Sequence, residues 1–129
     1  MDTRTLVDSD IEKGKGVLKA LDKGGVPVTS AFWRYMPEST EWRLMVATPL
    51  VERDGPRAGY EAVEKAVTKY GGPHEIPLSQ MSVVSSTDPF VRLIRTAVKT
   101  APKDVSGIRF TNNVINNVLV EDVYIYRSA

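Results

Sequence analysis

The C-terminal stretch from Ile108 to Arg127 alternates side-chain types around a central Asn-Asn pair, and this pattern constrains the fold more than any other part of the chain. Asparagine tolerates the left-handed backbone of a two-residue hairpin turn. A turn at Asn116-Asn117 places Ile115 opposite Val118 and sets the register of every earlier pair, because strand side chains alternate between two faces. The stretch therefore predicts an antiparallel β-hairpin.

The predicted register divides the hairpin into two faces. The first face is apolar and holds Ile108, Phe110, Val114, Leu119, Val123 and Ile125. The second face holds Arg109, Thr111, Asn113, Val120, Asp122, Tyr124 and Tyr126. We expect the first face to pack on a core and the second to present aromatic rings.

On the apolar face, Asn112 and Glu121 are predicted to lie directly opposite each other. Two interpretations are open: the amide satisfies a buried carboxylate in a structural hydrogen bond, or the pair marks an opening to a ligand. A carboxyl group in apolar surroundings can carry a proton, so Glu121 is a candidate catalytic acid or base with Asn112 as its orienting partner. Its neighbour Asp122 points to the other face of the strand, which argues against a metal ion shared by the two carboxylates.

The rest of the chain predicts three amphipathic helices and three more strands. Ser9-Asp10-Ile11-Glu12 has the spacing of a capping box for the first helix, and Asp88 followed by Pro89 is typical of the start of the third. Pro49 is expected to end the second strand, and the second helix is expected from Pro56 to about Tyr70, after a polar loop at 52–55. The predicted strands are Val26–Met36, Glu41–Thr48 and Met81–Ser85.

This order of elements predicts an α+β fold. We expect a two-layer sandwich with a mainly antiparallel five-stranded sheet and three helices, in the order α-β-β-α-β-α-β-β, within a single domain spanning residues 1–129. Phe32 alternates with Trp33 and Tyr35, so the first strand offers apolar side chains to both faces. Three helices can cover one face, and an uncovered aromatic face indicates a partner, a second subunit or a ligand.

Composition excludes several classes of function. Lys and Arg total 17 against 16 Asp and Glu, a net charge of +1, so no overall field attracts nucleic acid or an acidic membrane. The absence of cysteine excludes disulfides, thiol catalysis and thiolate metal sites. The stretch Met1–Asp10 has charges where a signal peptide needs an apolar core, and no apolar run is long enough to cross a bilayer. We expect a cytoplasmic protein with no membrane partner.

Catalytic and cofactor motifs are not recognisable in the chain. His74, the single histidine, stands in a polar loop with no nucleophile at a recognisable spacing, and we expect it to be solvated. The serines lack a Gly-x-Ser-x-Gly elbow, and Gly14-Lys15-Gly16 lacks the ending of a phosphate loop. No cofactor and no metal are predicted.

Local groups of basic residues indicate nucleic-acid binding as an alternative function. Arg92, Arg95 and Lys99 are expected on one face of the third helix, where such a stripe can contact phosphates. Arg109 and Tyr124 are expected on the aromatic face of the hairpin, which can serve as a stacking platform for bases. The simpler interpretation of the helix residues is a solvated charged face opposite the apolar stripe.

Short motifs spread over most of the chain are Glu41-Trp42-Arg43-Leu44, Ala47-Thr48-Pro49, Gly55-Pro56-Arg57, Asp88-Pro89, Asn113-Val114-Ile115-Asn116 and Glu121-Asp122-Val123-Tyr124-Ile125-Tyr126-Arg127. On these motifs the chain resembles a family of small uncharacterised bacterial proteins with no assigned activity. At the hairpin tip, Asn-Asn stands where that family is expected to have Asn-Gly. The resemblance implies a bacterial cytoplasmic protein and no catalytic residue.

Three hypotheses for function remain. The first is a non-enzymatic protein-interaction module that forms a homodimer through the uncovered sheet face or an edge strand. The second is a nucleic-acid-binding protein that uses the basic helix face and the aromatic sheet face. The third is a small-molecule enzyme with Glu121 as its acid or base. The balanced charge favours the first hypothesis over the second, and the lack of a catalytic spacing favours it over the third.

Overall fold

The computed structural model describes residues 6–71 and 76–129, and within these ranges it contains four α-helices and five β-strands. A short 3₁₀ turn, Leu78–Gln80, precedes the third strand. His74 lies outside the described residues. In chain order the elements are α1 (Asp8–Lys23), β1 (Ser30–Met36), β2 (Glu41–Thr48), α2 (Pro49–Asp54), α3 (Pro56–Tyr70), β3 (Met81–Ser85), α4 (Pro89–Ala97), β4 (Ile108–Ile115) and β5 (Val118–Ser128).

The five strands form one sheet in the order β3-β2-β1-β5-β4. β1 pairs antiparallel with β2 and β5, and β5 pairs antiparallel with β4, whereas β2 and β3 are parallel. Parallel neighbours need a crossover connection of roughly a dozen residues or more, and α2 and α3 provide it. The predicted α+β sandwich is confirmed, with the correction that its sheet is mixed.

Residues 52–54, predicted as part of a polar loop, belong to the short helix α2, which begins at Pro49. Thr48 caps this helix, because its Oγ1 accepts a hydrogen bond from the Leu50 amide at 3.2 Å. Pro49 occupies the first turn, where a missing amide costs nothing. The loop prediction was wrong because the proline was taken to end a strand, whereas it also begins a helix.

Helix α1 begins two residues earlier than the capping box predicted. Its N-cap is Val7, and the Oδ2 atom of Asp10 accepts a hydrogen bond from the Val7 amide at 3.3 Å. Ser9 therefore lies inside the helix, and the reciprocal carboxylate is Asp10 rather than Glu12. A carboxylate in the first turn also interacts favourably with the positive end of the helix dipole.

Three predicted elements, α3, β2 and β3, have the expected bounds. The start of α4 is also confirmed: the Oδ2 atom of Asp88 accepts hydrogen bonds from the amides of Phe90 at 3.0 Å and Val91 at 3.2 Å. Strand β1 is shorter than predicted and begins at Ser30 rather than Val26.

Helices pack against both faces of the sheet. α1 and α3 share a core with Trp33 and Trp42 on one face. On the opposite face, Val91 and Ile94 of α4 pack with Phe32. Phe32 and Trp33 are neighbours in β1 and point to opposite sides, so this strand belongs to both cores. The face that the sequence left open is therefore partly covered by α4.

A β-bulge in β5 changes which side chains reach α1. The register between β1 and β5 shifts between Ala31 and Phe32, so β5 has one residue more than its partner at this point. Regular alternation would send Tyr126 and Arg127 to opposite faces. With the extra residue, both side chains bond to residues of α1.

These two side chains anchor the end of the hairpin to the first helix. The Tyr126 hydroxyl accepts a hydrogen bond from Trp33 Nε1 at 2.9 Å and donates one to the Ile11 carbonyl at 2.6 Å. Burial raises the pKa of the Tyr126 hydroxyl above its usual value, so the group stays protonated and able to donate. Arg127 is almost fully buried and pairs with Asp22, with 2.8 Å between Nη2 and Oδ2.

Gly14 of α1 lies against the contact between Tyr126 and Trp33, and its substitution tests that contact. A β-carbon at this position would overlap the Tyr126 hydroxyl and come within 2.7 Å of Trp33 Nε1. We expect Gly14→Ala to lower the free energy of unfolding by about 1–3 kcal/mol through overpacking. Urea unfolding followed by circular dichroism measures the change.

Gly16 is the matched control, because it lies in the same helix and a β-carbon there meets no atom within 4 Å. Alanine is a better helix former than glycine, so Gly16→Ala should raise the free energy of unfolding by about 0.5–1 kcal/mol. Similar stabilisation by both substitutions would contradict the close packing at Gly14.

Candidate functional site

The hairpin formed by β4 and β5 has the predicted turn and register. Ile115 pairs with Val118, and the same register continues from there to Ile108 opposite Ile125. The turn residues Asn116 and Asn117 have φ values of 48° and 66°, the left-handed conformation that a two-residue turn of this type requires. The hairpin prediction is therefore confirmed.

The ladder is interrupted at the pair that the sequence singled out. Thr111 pairs with Asp122 and Asn113 with Val120, but no pairing joins the residues between them, Asn112 and Glu121. Asn112 has a φ of 52°, a left-handed conformation within a strand. The regular pairing of the two strands is therefore interrupted at this level of the hairpin, and we call this irregularity the kink.

Both Asn112 and Glu121 are exposed, so the prediction of a carboxylate among apolar neighbours is wrong. The apolar side chains around them are exposed as well: Val114 is 66% exposed and Leu119 is 58% exposed. At this level of the hairpin, α4 packs with Val120 and Ile115, and Val114 and Leu119 lie outside that cluster. A catalytic role for Glu121 stays a prediction, without the apolar surroundings that motivated it.

Val120 lies in the core on the α4 side, although the sequence placed it on the opposite face from Val123. It is 2% exposed and belongs to the same cluster as Val123 and Phe32. The kink at Asn112 accounts for the difference, because simple alternation holds only along an uninterrupted strand. Beyond the kink, the faces of the hairpin are exchanged.

A cleft opens between this hairpin and the hairpin formed by β1 and β2. Pairing between β1 and β5 ends at Arg34 opposite Val123, although β1 continues to Met36 and β5 begins at Val118. The resulting inter-hairpin cleft has a volume of about 220 Å³. Its lining includes Arg34, Glu38, Phe90, Leu119, Glu121 and Asp122.

Arg34 is the cation inside this cleft. Its guanidinium carbon lies 3.6 Å from the centre of the Phe90 ring, a cation-π contact. No hydrogen bond or ion pair joins its guanidinium to another residue that the structure describes. Loss of solvent lowers the pKa of Arg34, and the charges of Glu38 and Asp88 partly oppose that shift.

The residues predicted to bind nucleic acid are divided between the two sides of the sheet. Arg92 and Arg95 lie on α4, whereas Lys99, predicted on the same helix, lies just beyond its end at Ala97. With Thr96, the three cations line a shallow hollow of about 310 Å³. We call these three cations the basic face of α4. Arg109, by contrast, lies on the side of α1 and α3.

On that side, the Arg109 guanidinium forms two hydrogen bonds to Asp122, at 3.0 Å and 2.8 Å. These bonds raise the pKa of Arg109. Its guanidinium carbon also lies 5.7 Å from the Trp42 ring centre. Tyr124 packs partly buried against the same core and makes an edge contact with Tyr126. The aromatic residues of this side are therefore largely occupied in the core.

Sequence reasoning missed Arg34 and Phe90. The sequence interpretation concentrated on the aromatic residues of β1, Phe32, Trp33 and Tyr35, because they alternate between the two faces. Arg34 is a single charge among them. Its importance depends on α4 placing Phe90 beneath the guanidinium. No local pattern reports which helix covers which strand.

The left-handed conformation of Asn112 allows a test of the kink. We expect Asn112→Val to lower the free energy of unfolding by about 1–2 kcal/mol, because a β-branched residue is strained at positive φ. Asn112→Gly should leave it nearly unchanged, since glycine adopts this conformation freely. Thermal and urea unfolding measure the free energy of unfolding of the two variants.

Asn113→Val provides the control for Asn112→Val, because residue 113 is in the same strand and its φ is not positive. Valine suits an exposed strand position, so the expected change is within about 0.5 kcal/mol. Equal losses at positions 112 and 113 would show that the kink does not constrain the residue type.

No protein-family profile, curated protein or solved structure matches the chain. Among the described residues, no helix has the length and apolar character needed to cross a membrane. The hairpin, the cleft beside it and the basic face of α4 therefore provide the observations from which function is inferred.

Proposed function

We propose that this protein is a non-enzymatic interaction module that forms a homodimer through the edge strand β4 and the tip of the β4–β5 hairpin. The observation that carries the proposal is a cluster of exposed apolar side chains. Val114, Val118 and Leu119 are 66%, 45% and 58% exposed. We call them the apolar tip. Val114 and Leu119 are a cross-strand pair on one face of the hairpin, and Val118 is on the other face. Exposed apolar side chains grouped at one place are typical of surfaces that bind a partner.

The position of the apolar tip beside a free strand edge supports the proposal. Among the described elements, β4 pairs with β5 on one side and with no strand on the other. The unpaired amides and carbonyls of an edge strand are a template for another strand, and proteins commonly block such edges with proline or lysine. β4 contains neither residue.

The charges along β4 also favour pairing with a second copy. Arg109 is the charged residue of this strand, and its guanidinium is bonded to Asp122 of β5. Two copies of β4 therefore approach without a net repulsion between their side chains. An antiparallel β4–β4 pairing obeys two-fold symmetry, and it joins two five-stranded sheets into one continuous sheet.

The kink at Asn112 selects the part of the edge that pairs. It separates Ile108–Thr111 from the segment 113–115, which is continuous with the apolar tip. In an antiparallel pair, side chains directly opposite each other are in contact, with their Cβ atoms about 4.5–5.5 Å apart. Pairing along 113–115 brings Val114 close to its counterpart and removes its apolar surface from water. Leu119 is one strand further in, roughly 14 Å from its own counterpart, and flanks Val114.

Light scattering after size-exclusion chromatography tests the homodimer. We expect a mass near twice the 14.3 kDa of one chain. Val114→Lys places like charges at the two-fold contact and should shift the protein to the monomer. Because this side chain is largely exposed, the melting temperature extrapolated to low protein concentration should change little.

Tyr70→Lys is the matched control, since Tyr70 is also an exposed apolar side chain but lies on α3, which packs against α1, α2 and β3. It should leave the mass unchanged. A monomeric wild-type protein at high concentration would overturn the proposal, as would equal loss of the dimer in both variants.

The basic face of α4 favours polyanion binding as a second candidate function. Its three cations line one hollow, and among the described residues the fourth lining residue is the neutral Thr96. Binding of a mixed-sequence oligonucleotide should weaken as salt rises. Replacing Arg92 and Lys99 with glutamine should reduce the magnitude of the slope of log K against log salt by about 2.

Lys19→Gln with Lys23→Gln on α1 is the control for that experiment, because it removes the same number of exposed charges elsewhere. It should leave the slope nearly unchanged if α4 forms the contact. Failure of the wild-type protein to bind the oligonucleotide at low salt eliminates this candidate.

A further inference from the structure

The inter-hairpin cleft shares Leu119 with the apolar tip, but its charged residues lie outside the proposed dimer contact and have their own binding chemistry. We propose that it binds a small zwitterion of the free amino acid class, with the ligand carboxylate on Arg34 and the ligand ammonium between Glu38 and Glu121. This is a ligand site separate from the edge of β4. Four observations support it: the size of the cleft, the unpaired cation, the placement of the acidic residues and the exposed main chain.

The cleft has the size of a small metabolite site. Its volume of about 220 Å³ lies below the roughly 300–1,000 Å³ of pockets that hold drug-sized ligands. Its walls combine apolar surface from Phe90 and Leu119 with charged groups. Such a combination is typical of pockets in which apolar contacts bury the ligand and a few charged groups orient it.

The carboxylate partner is Arg34. Its guanidinium is stacked on Phe90 and half-buried, and it has no ion pair with a described residue. A guanidinium held flat on a ring keeps its N–H groups at its edge, where a carboxylate can accept two parallel hydrogen bonds. Charged side chains that lose solvent are usually paired, so the unpaired state of Arg34 points to an anionic group supplied by a ligand.

The ammonium partners are carboxylates on two different walls of the cleft. Glu38 stands in the turn after β1, and Glu121 stands in β5. Glu38 interacts electrostatically with Arg34 but forms no ion pair with it, so the two charges are separated by space that a ligand can occupy. Asp122 also lines the cleft, but its carboxylate is bonded to Arg109.

This set of charges favours a molecule that carries both signs. A simple anion is attracted by Arg34 but repelled by Glu38 and Glu121. A simple cation is attracted by the two glutamates but repelled by Arg34. Within the ranges 6–71 and 76–129, no three His, Asp or Glu side chains lie close enough to hold a metal ion. An α-amino acid places an ammonium and a carboxylate on neighbouring atoms and can satisfy both walls.

The main chain of the cleft also lacks partners within the sheet. β5 from Val118 to Asp122 pairs with β4 on one side, and its pairing with β1 begins at Val123. Its amides and carbonyls on the cleft side can therefore donate to a ligand carboxylate or accept from a ligand ammonium. This supply of polar groups adds to the charges of the three side chains.

The proposal is tested by measuring the binding of each common free amino acid, one at a time and at millimolar concentration. Isothermal calorimetry and methyl and aromatic NMR shifts detect the binding. We expect at least one to bind and to shift the resonances of Phe90 and Leu119. The carboxylic acid that lacks its amine, and the amine that lacks its carboxylate, should each bind at least about tenfold more weakly. Absence of binding by all of them, or equal binding by either half-molecule, overturns the proposal.

Variants locate the two charges. Arg34→Gln should weaken binding of the zwitterion at least about tenfold, and so should Glu38→Gln combined with Glu121→Gln. Arg57→Gln is the control, because Arg57 is an exposed cation on α3 paired with Glu61, and it should bind as the wild type does. Unchanged affinity in the cleft variants overturns the proposal.

Two further measurements keep the test decisive if Arg34→Gln alters the fold. Arg34→Lys keeps the charge but loses the paired donors, so it should bind with intermediate affinity. The comparison of the zwitterion with its two half-molecules uses the wild-type protein and needs no variant. The same titration with Val114→Lys at low concentration separates ligand binding from the dimer, because Val114 does not line the cleft and the three charged partners are then unchanged.

Discussion

The ion pair between Arg127 and Asp22 is the interaction on which the rest of the structure depends. Arg127 is 1% exposed, and its guanidinium also donates to the carbonyls of Asp104 at 3.0 Å and Val28 at 3.4 Å. A buried guanidinium is tolerated only when it is paired and hydrogen-bonded. This one side chain joins the end of α1, the approach to β1 and the approach to β4.

The β-bulge makes that arrangement possible and also determines how the hairpin is held. Because of the extra residue, Tyr126 and Arg127 both bond to α1, whereas Val123 and Ile125 pack on the α4 side. The base of the hairpin is therefore fixed from both faces of the sheet. Its tip is held only from the α4 side, through Val120 and Ile115, and this difference places an exposed apolar surface and a cleft at the same end of the molecule.

The sequence predicted those elements whose signals are local. Glu41–Thr48 and Met81–Ser85 are bounded by residues that interrupt strands, Asp88 supplies its own cap, and the two central asparagines specify the turn of the hairpin. Each of these signals acts within a few residues of the chain. They required no knowledge of what packs against the element.

The features that sequence reasoning missed depend on tertiary packing. The parallel pairing of β3 with β2 follows from α2, whose start was hidden by a proline that also ends a strand. Glu121 was assigned apolar surroundings because alternation places it on the same face as Val123, but the ladder is interrupted at Asn112 and Glu121, so the alternation does not hold there. The contact of Arg34 with Phe90 joins residues far apart in the chain and has no local signature.

The early end of the pairing between β1 and β5 has a mechanical consequence for the tip. From Val118 to Asp122 the hairpin is a two-stranded ribbon without a third strand beside β5, and such a ribbon has little stability of its own. Its direction is set by Val120 and Ile115, which pack beneath α4. The orientation of the ribbon is thus determined by the packing of these two side chains rather than by the hydrogen-bond ladder. A change in their volume can reorient the ribbon while the sheet stays intact.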